Sequence, residues 1–309
     1  MPVLSPLEIC VFLLLLAASA WGFWLRFGRV IGKIRQAKPD PDFRLEPVAG
    51  RIGEFLSEVM LESKVIRQRP WPGIAHAFVF WGFCVFALVT LNHLAAGIGL
   101  AFLAPQSGFG RFYFCFAGVF AVAVSVSITG LAVRRFLLRP RWLGQQVSVE
   151  SGIIALLIFL LMATYLATFW AGDQKWLWWA HTLALLIFLP LIPHTKHLHL
   201  VLSPLTVFLS RGGFSRIPPL VGDEDFGLDT GKDLTRIAAL QAYSCVECGR
   251  CTEHCPAANT GKVLDPKEIA LGVRRYLNEF GAQSTEPLLG QHLSQVRVRF
   301  NNQLDVLPQ

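Results

Sequence analysis

The chain has 309 residues, of which 53% are hydrophobic and 16% are charged, with a mean hydropathy of +0.47 and a formal net charge of +7. A soluble protein built around one large core fits this composition poorly, because residues 151–170 carry no charge over about 20 positions, the length that crosses a bilayer as a helix. The positive charge lies mainly between apolar segments, which indicates membrane topology and excludes nucleic-acid binding as its explanation.

Five apolar stretches predict transmembrane helices. They cover residues 7–25, 74–97, 112–133, 149–171 and 177–202. Between the first two, residues 51–69 alternate apolar and charged side chains in a way that predicts an amphipathic helix on the cytoplasmic membrane surface. Together these segments predict a membrane domain over residues 1–205.

The basic residues predict the orientation of this domain. Ten Lys and Arg residues lie between the first and second predicted helices, and four lie between the third and fourth. The opposite loops contain little more than Arg111 and Lys175. Because cytoplasmic loops carry the excess of Lys and Arg, we expect the N-terminus outside a bacterial inner membrane and everything after about residue 203 in the cytoplasm.

Six of the eight histidines lie in the second and fifth apolar stretches, where ionisable side chains are costly and usually functional. On antiparallel helices, His93 would lie level with His181, and His76 level with His199. The spacings of this ladder agree, because the 17 residues from His76 to His93 and the 18 from His181 to His199 correspond to about 25 and 27 Å at roughly 1.5 Å per residue. This ladder predicts two bis-histidine haems. The predicted ligands are His76, His93, His181 and His199, with His197 as the alternate to His199. For each histidine, the alternative is an ordinary hydrogen bond between helices.

After the fifth stretch, Pro and Gly residues predict a linker over 206–232, followed by a cytoplasmic domain over 233–285 and a weakly structured tail over 286–309. The domain contains the run Cys245-x-x-Cys248-x-x-Cys251-x-x-x-Cys255-Pro256. This spacing is typical of [4Fe-4S] ligands, whereas zinc sites, the alternative, use paired C-x-x-C groups.

The fourth cysteine leaves one question open. In two-cluster ferredoxins, the last cysteine of such a run binds the other cluster, and this chain has no second run. The remaining cysteines, Cys10, Cys84 and Cys115, lie in apolar segments and are not expected to act as ligands. Either Cys255 closes a single cluster with its neighbours, or a partner polypeptide carries the second motif.

The histidine and cysteine motifs also resemble known families. The segment 76–83 together with His181 and the run Lys196-His197-Leu198-His199 resembles the cytochrome b domain of nitrate reductase gamma subunits. Residues 242–257 and the following 260–267 resemble the first cluster motif of heterodisulfide-reductase-like membrane iron–sulfur oxidoreductases, which include electron-transfer-flavoprotein:quinone oxidoreductases. The resemblance covers most of residues 50–280. It implies an all-α membrane protein in which a five-transmembrane-helix di-haem cytochrome b domain precedes a small, mainly helical ferredoxin-like [4Fe-4S] domain.

Transferred residue by residue, the resemblance implies that His181 and His199 are haem ligands of the fifth helix and that His76 is a ligand of the second. The pattern places the other second-helix ligand at Phe86, so His93 is supported by the ladder alone. Family members continue into a second four-cysteine motif and CCG domains, whereas this sequence stops at Gln309. The resemblance therefore implies a truncated chain or a split subunit with a partner polypeptide that carries those parts.

These observations predict a component of a quinone-linked oxidoreductase. In this interpretation, a cytoplasmic donor such as an electron transfer flavoprotein delivers electrons through the cluster and the b haems to a membrane quinone. The alternative is a membrane anchor and cluster subunit of a heterodisulfide-reductase-type cytoplasmic reductase. The cytoplasmic part shows no Gly-rich nucleotide loop, which disfavours direct oxidation of a nicotinamide. Lys196 with His194 or His197 is a further hypothesis for a quinone-binding group.

Overall fold

The computed structural model describes residues 3–40, 43–139, 148–210, 229–262 and 264–288. Within these ranges the chain is helical, and its extended pairing consists of two isolated bridges, Lys38 with Thr235 and Thr230 with Pro287. Most of the predicted linker (211–228) and most of the predicted tail (289–309) lie outside the described residues, as does part of the second basic loop (140–147).

Twelve α-helices follow one another in the described residues. They are α1 Pro6–Gln36, α2 Val48–Phe55, α3 Ser63–Gln68, α4 Pro70–Ala96, α5 Gly108–Val133, α6 Val149–Ala171, α7 Lys175–His194, α8 His199–Phe208, α9 Arg236–Ser244, α10 Arg250–Glu253, α11 Pro256–Asn259 and α12 Pro266–Glu279. Five of them, namely α1, α4, α5 with its π-helical extension Arg134–Leu138, α6 and α7, are long and apolar enough to cross a membrane. For the described residues, the prediction of a mainly helical chain with five helices long and apolar enough to span a membrane is confirmed.

The boundaries of these helices have local causes. Helix α4 begins at Pro70, whose fixed φ suits the first turn and whose missing N–H would have no partner there. The Ser107 side chain accepts a hydrogen bond from the Gly110 N–H and so caps α5. Helix α6 ends at Ala171 and is followed by Gly172, which has a φ of 68° that glycine adopts without steric cost.

The predicted fifth helix was wrong in one respect, because it is not continuous over 177–202. Helix α7 ends at His194, Thr195 is extended, and a short 3-10 turn over Lys196–Leu198 leads into α8. Pro190 and Pro193 lie inside α7, where each removes a backbone donor and crowds the preceding turn. His194, His197 and His199 therefore lie on α7, on the 3-10 turn and on α8, respectively.

The predicted surface helix over 51–69 is likewise divided. Helix α2 passes into a π-helical turn, Leu56–Met60, and α3 begins only after Glu62, a buried residue with a φ of 51°. Arg51 is buried too, and its guanidinium donates to the Arg44, Leu45, Phe208 and Ser210 carbonyl oxygens. Because the last carbonyls of a helix lack intrahelical partners, this contact satisfies the end of α8.

The chain forms two compact units. The first comprises Met1–Leu25 and Leu56–Thr195, and the second comprises Arg26–Phe55 and Lys196–Gln309. In the first unit, α4, α5, α6 and α7 enclose a core that includes Phe86, Val124 and Tyr165. Gly82 of α4 faces Val124 of α5 so closely that a Cβ at this position would overlap the valine side chain.

The second unit has a separate core, drawn from distant parts of the sequence. Val30 of α1 and Leu202 of α8 are buried together with Leu234, Tyr243 of α9 and Leu277 of α12. The last turns of α1 and the whole of α8 thus belong to the unit that contains the cysteine run. The sequence-based boundary at residue 205 differs from this division, because the predicted membrane domain included residues 26–55 and 196–205, which the structure places in the second unit.

Candidate functional site

The four cysteines of the run lie on a short loop between α9 and α11. Thr235 caps α9 by accepting the Ala238 N–H, and Cys245 ends the helix in an extended conformation. The backbone then passes through the single turn of α10 to Cys255, which precedes α11 with Pro256 in its first turn. The cysteines therefore lie between helices that begin and end at defined residues.

Two residues of this loop have left-handed backbone conformations. Glu247 has a φ of 58° and Gly249 a φ of 74°. Such residues turn successive backbone N–H groups towards one concave side, an arrangement that favours anions and iron–sulfur clusters. Glycine adopts this conformation readily, whereas a glutamate does so only when other contacts hold it.

Helix α12 supplies those contacts. Arg274 donates one hydrogen bond to the Cys245 carbonyl oxygen at 3.0 Å and another to the Glu247 carboxylate at 2.5 Å. At the other end of the helix, Asp265 caps α12 by accepting the Lys267 N–H and also accepts the Thr252 hydroxyl. Hydrogen bonds from α12 and its cap thus hold both the first and the second half of the cysteine loop.

The thiols of the loop differ in exposure. Cys251 is exposed, whereas Cys245, Cys248 and Cys255 are half-buried, and none of the four is in a disulfide. Burial raises the pKa of the Cys245 thiol, and the nearby Cys248 and Cys251 thiols act in the same direction, although the Glu247 N–H and the Arg274 cation oppose them.

Four thiols on a concave loop are the donor set of a [4Fe-4S] cluster, and the residues present fit that group. Over the described ranges, however, no three His, Cys, Asp or Glu side chains are arranged to enclose a single metal ion. The loop therefore supplies the donors and the concave backbone, and the assignment of the four cysteines as ligands stays a prediction.

In the first unit, the structure brings His93 of α4 and His181 of α7 together. Their ring centroids are 4.9 Å apart at an interplanar angle of 63°, and His93 also stacks on Trp178. Each histidine contacts a threonine hydroxyl. His181 Nδ1 lies 2.7 Å from Thr164 Oγ1, and His93 Nε2 lies 2.8 Å from Thr182 Oγ1.

The threonine contacts favour one tautomer of each histidine. Thr164 Oγ1 also lies 2.8 Å from the Leu160 carbonyl oxygen, and when its one hydroxyl proton is donated there, the His181 Nδ1–H donates to the threonine. Thr182 likewise donates to the Trp178 carbonyl oxygen, so His93 donates from Nε2. The outcome differs between the rings, because His181 keeps its lone pair on Nε2 and His93 keeps its lone pair on Nδ1.

This difference decides how each ring fits a haem iron. His181 fits, since its Nδ1–H is held by a second residue and its Nε2 lone pair is available. Two imidazoles on one iron, with metal–nitrogen bonds of about 2 Å, require ring centroids about 6 Å apart, so the observed pair is closer than ligation allows. His93 fits only after its proton moves to Nδ1 and its contact with Thr182 is released.

A cavity of about 240 Å³, part of it open to the surface, lies against these two histidines. Its lining is mainly apolar, and its polar groups include Thr164, Tyr165, Asp173 and Gln174.

The other predicted histidines lie near the ends of their helices. His76 of α4 has its Nδ1 3.4 Å from a carboxylate oxygen of the buried Glu62, within the first unit. In the second unit, the His197 and His199 rings are 5.5 Å apart, and His199 Nδ1 contacts the Lys196 carbonyl oxygen. The pairing of His76 with His199 joins residues of different units and stays a prediction.

Comparison with known proteins places these features beside two named oxidoreductases. The probable iron-sulfur-binding oxidoreductase FadF of Bacillus subtilis (strain 168) is 42% identical over 113 residues, which are 35% of this chain and 16% of FadF. The EtfAB:quinone oxidoreductase of Syntrophomonas wolfei subsp. wolfei (strain DSM 2245B / Goettingen) is 28% identical over 272 residues, which are 72% of this chain and 37% of that protein. This chain is similar to iron–sulfur oxidoreductases.

The similarity supports the prediction of an oxidoreductase component. The chain spans well under half the length of each of these relatives. No protein-family model matches the chain, and no solved structure matches it.

Sequence reasoning missed the residues that orient the predicted ligands. Thr164 and Thr182 are hydroxyl residues in otherwise apolar helices, and that contrast was the available signal. Arg274 and Lys196 converge on Glu247 from positions 27 and 51 residues away along the chain, and no local pattern indicates this arrangement.

Proposed function

We propose that this chain is a membrane-bound electron-transfer protein that connects a cytoplasmic donor with the quinone pool. The observation that carries the proposal is the four-cysteine loop held by α12 in a chain that also has five apolar helices of membrane-spanning length. The similarity to FadF and to the EtfAB:quinone oxidoreductase supports the same class of reaction. The excess of Lys and Arg in the predicted cytoplasmic loops supports a position of the cysteine loop on the cytoplasmic side of a bacterial inner membrane.

The residues that would hold the cofactors follow from the site. Cys245, Cys248, Cys251 and Cys255 would hold a [4Fe-4S] cluster. His181 and His93 would hold one haem b, and His76 with His199, or with His197 as its alternate, would hold a second. When bound, these groups would supply one-electron transfer, while the protein determines their position, potential and access to water.

The side chains around these ligands have separate tasks. Thr164 keeps His181 in the tautomer that presents Nε2, and Trp178 restricts the His93 ring by stacking on it. Glu62 can accept the His76 Nδ1 proton in the same way, which would leave His76 Nε2 for a metal. In the second unit, Asp265 and Arg274 hold the cysteine loop from both ends of α12.

The partners are part of the proposal. An electron transfer flavoprotein is the proposed donor and a membrane quinone the proposed acceptor, as the name of the Syntrophomonas relative suggests.

One hypothesis for the quinone contact involves His194 and Lys196. His194 is exposed, whereas the Lys196 side chain is 8% exposed and has its Nζ 3.9 Å from Glu247. The contact with Glu247 favours an ion-pair role for Lys196. An unchanged rate of quinone reduction in both His194→Ala and Lys196→Ala would remove the hypothesis.

Absorption spectra of the purified protein test the proposal against its alternative, the membrane anchor of a heterodisulfide-type reductase. Reduction with dithionite should produce the alpha band of a b-type haem. His181→Ala and His199→Ala should each lower the haem content by about half, because each haem loses one of two axial nitrogens. A protein without this band would favour the anchor, and full haem retention in both variants would refute the ligand assignment.

A further inference from the structure

Three charged side chains meet at the cysteine loop of the second unit. The Glu247 carboxylate lies two residues after Cys245 and contacts Arg274 of α12 at 2.5 Å and Lys196 of the 3-10 turn before α8 at 3.9 Å. We call these residues the Lys196–Glu247–Arg274 triad. Its side chains are 8%, 30% and 22% exposed, so water screens the charges less than at the surface.

The triad is joined to the backbone of the loop. Glu247 has the left-handed conformation that turns the loop, and Arg274 also donates to the Cys245 carbonyl oxygen. Substituting any member therefore changes both the net charge beside the thiols and the contacts that shape their loop.

We propose that the Lys196–Glu247–Arg274 triad positions the cysteine loop and sets the reduction potential of the iron–sulfur cluster that the four thiols hold. The proposal rests on the proposed function. A cluster bound by four thiolates is anionic and gains a negative charge on reduction, so neighbouring cations stabilise its reduced form and neighbouring anions destabilise it. The triad contributes two positive charges and one negative charge, so its members act in opposite directions.

The proposal predicts the sign of each change. Glu247→Gln removes the anion and should raise the reduction potential. Arg274→Met and Lys196→Met each remove a cation and should lower it. Arg274→Lys keeps the charge but cannot make the two directed hydrogen bonds, so its potential should stay near that of the unmodified protein while iron is lost to a chelator about tenfold faster.

The chain provides matched controls on the same helix. Arg275 follows Arg274 but is 51% exposed and pairs with Glu268, which is 39% exposed. Arg275→Met and Glu268→Gln therefore make the same changes in net charge without touching the loop. If the triad acts through its location, the shifts in these two variants should be less than half of those in Arg274→Met and Glu247→Gln.

The experiment uses the full chain, purified anaerobically in detergent. Iron and sulfide are counted first, and the potential is then measured by a redox titration monitored by electron paramagnetic resonance. A four-iron signal with shifts of opposite sign in Glu247→Gln and Arg274→Met would support the proposal. A loaded cluster whose potential in all triad variants equals that of the controls would overturn it. An unmodified protein that binds no cluster would overturn the proposed function as well, and the iron count separates these two failures.

Discussion

Thr164→Val provides a sharp test of the proposed haem ligation by His181. Valine has nearly the shape of threonine but cannot accept the hydrogen bond from His181 Nδ1–H, which the Thr164 oxygen accepts at 2.7 Å. His181 is 7% exposed, so water has little access to replace the lost partner. We expect the substitution to loosen the orientation and the tautomer of the ring without creating a cavity.

The expected magnitude comes from two independent considerations. Leaving a buried donor without an acceptor costs about 1–3 kcal/mol. Removing the residue that orients a metal-bound histidine typically weakens metal binding by about 10- to 100-fold, which equals roughly 1.4–2.7 kcal/mol. Both estimates predict that Thr164→Val loses haem about ten to a hundred times faster than the unmodified protein.

The measurement is the rate of haem transfer from the purified protein to an excess of a haem-free acceptor protein. Thr164→Ser retains the hydroxyl and should restore most of the retention. Thr129→Val is the matched control, since Thr129 also donates to a carbonyl one turn earlier but is exposed on α5. Equal rates of haem loss in Thr164→Val and Thr129→Val would refute the orienting role of Thr164.

Two further predictions concern the cores that support the sites. Gly82→Ala should destabilise the first unit by about 1–3 kcal/mol in a thermal unfolding measurement, because its Cβ overlaps Val124, and adding Val124→Ala should recover much of the loss. Gly130→Ala, with open space at its Cβ, is the control, and an equal effect there would contradict the packing argument. Leu202→Ala should lower the stability of the second unit by about 2–5 kcal/mol and speed iron loss. Leu205 is 46% exposed on the same helix, so Leu205→Ala should have neither effect. Indistinguishable iron loss in the two variants would show that this core does not support the loop.

The membrane helices could be predicted from the sequence because a run of apolar residues is a local signal. The predicted spans 112–133 and 149–171 end at the same residues as α5 and α6. The break after α7 was visible in Pro190 and Pro193, but prolines do occur within membrane helices, so their presence alone does not fix where a helix ends.

The composition of the second core could not be predicted in this way. Val30 and Leu277 are almost 250 positions apart, and the apolar character of Val30 fits a membrane helix equally well. Hydropathy predicts that a side chain is removed from water, but it does not identify the side chains that pack against it.

The site was predicted in part. The rise per residue placed His93 and His181 at one level, and the structure brings their rings within 4.9 Å. The hydroxyl partners that determine the two tautomers depend on helix rotation, which the spacing of histidines does not specify. The cysteine run was evident from its motif, whereas the residues of α12 that hold it required the fold.

The hydrogen bonds between α12 and the cysteine loop have a consequence for biosynthesis. The ribosome releases the four cysteines before it releases Arg274, and Val30 and Leu202 of the same unit emerge earlier still. The nascent loop therefore has its thiols but lacks the helix that gives it its shape until synthesis has passed α12. Under the proposed function, metal loading is consequently a late step, completed after the apolar helices have been made, and until then the thiols require reducing surroundings to remain available.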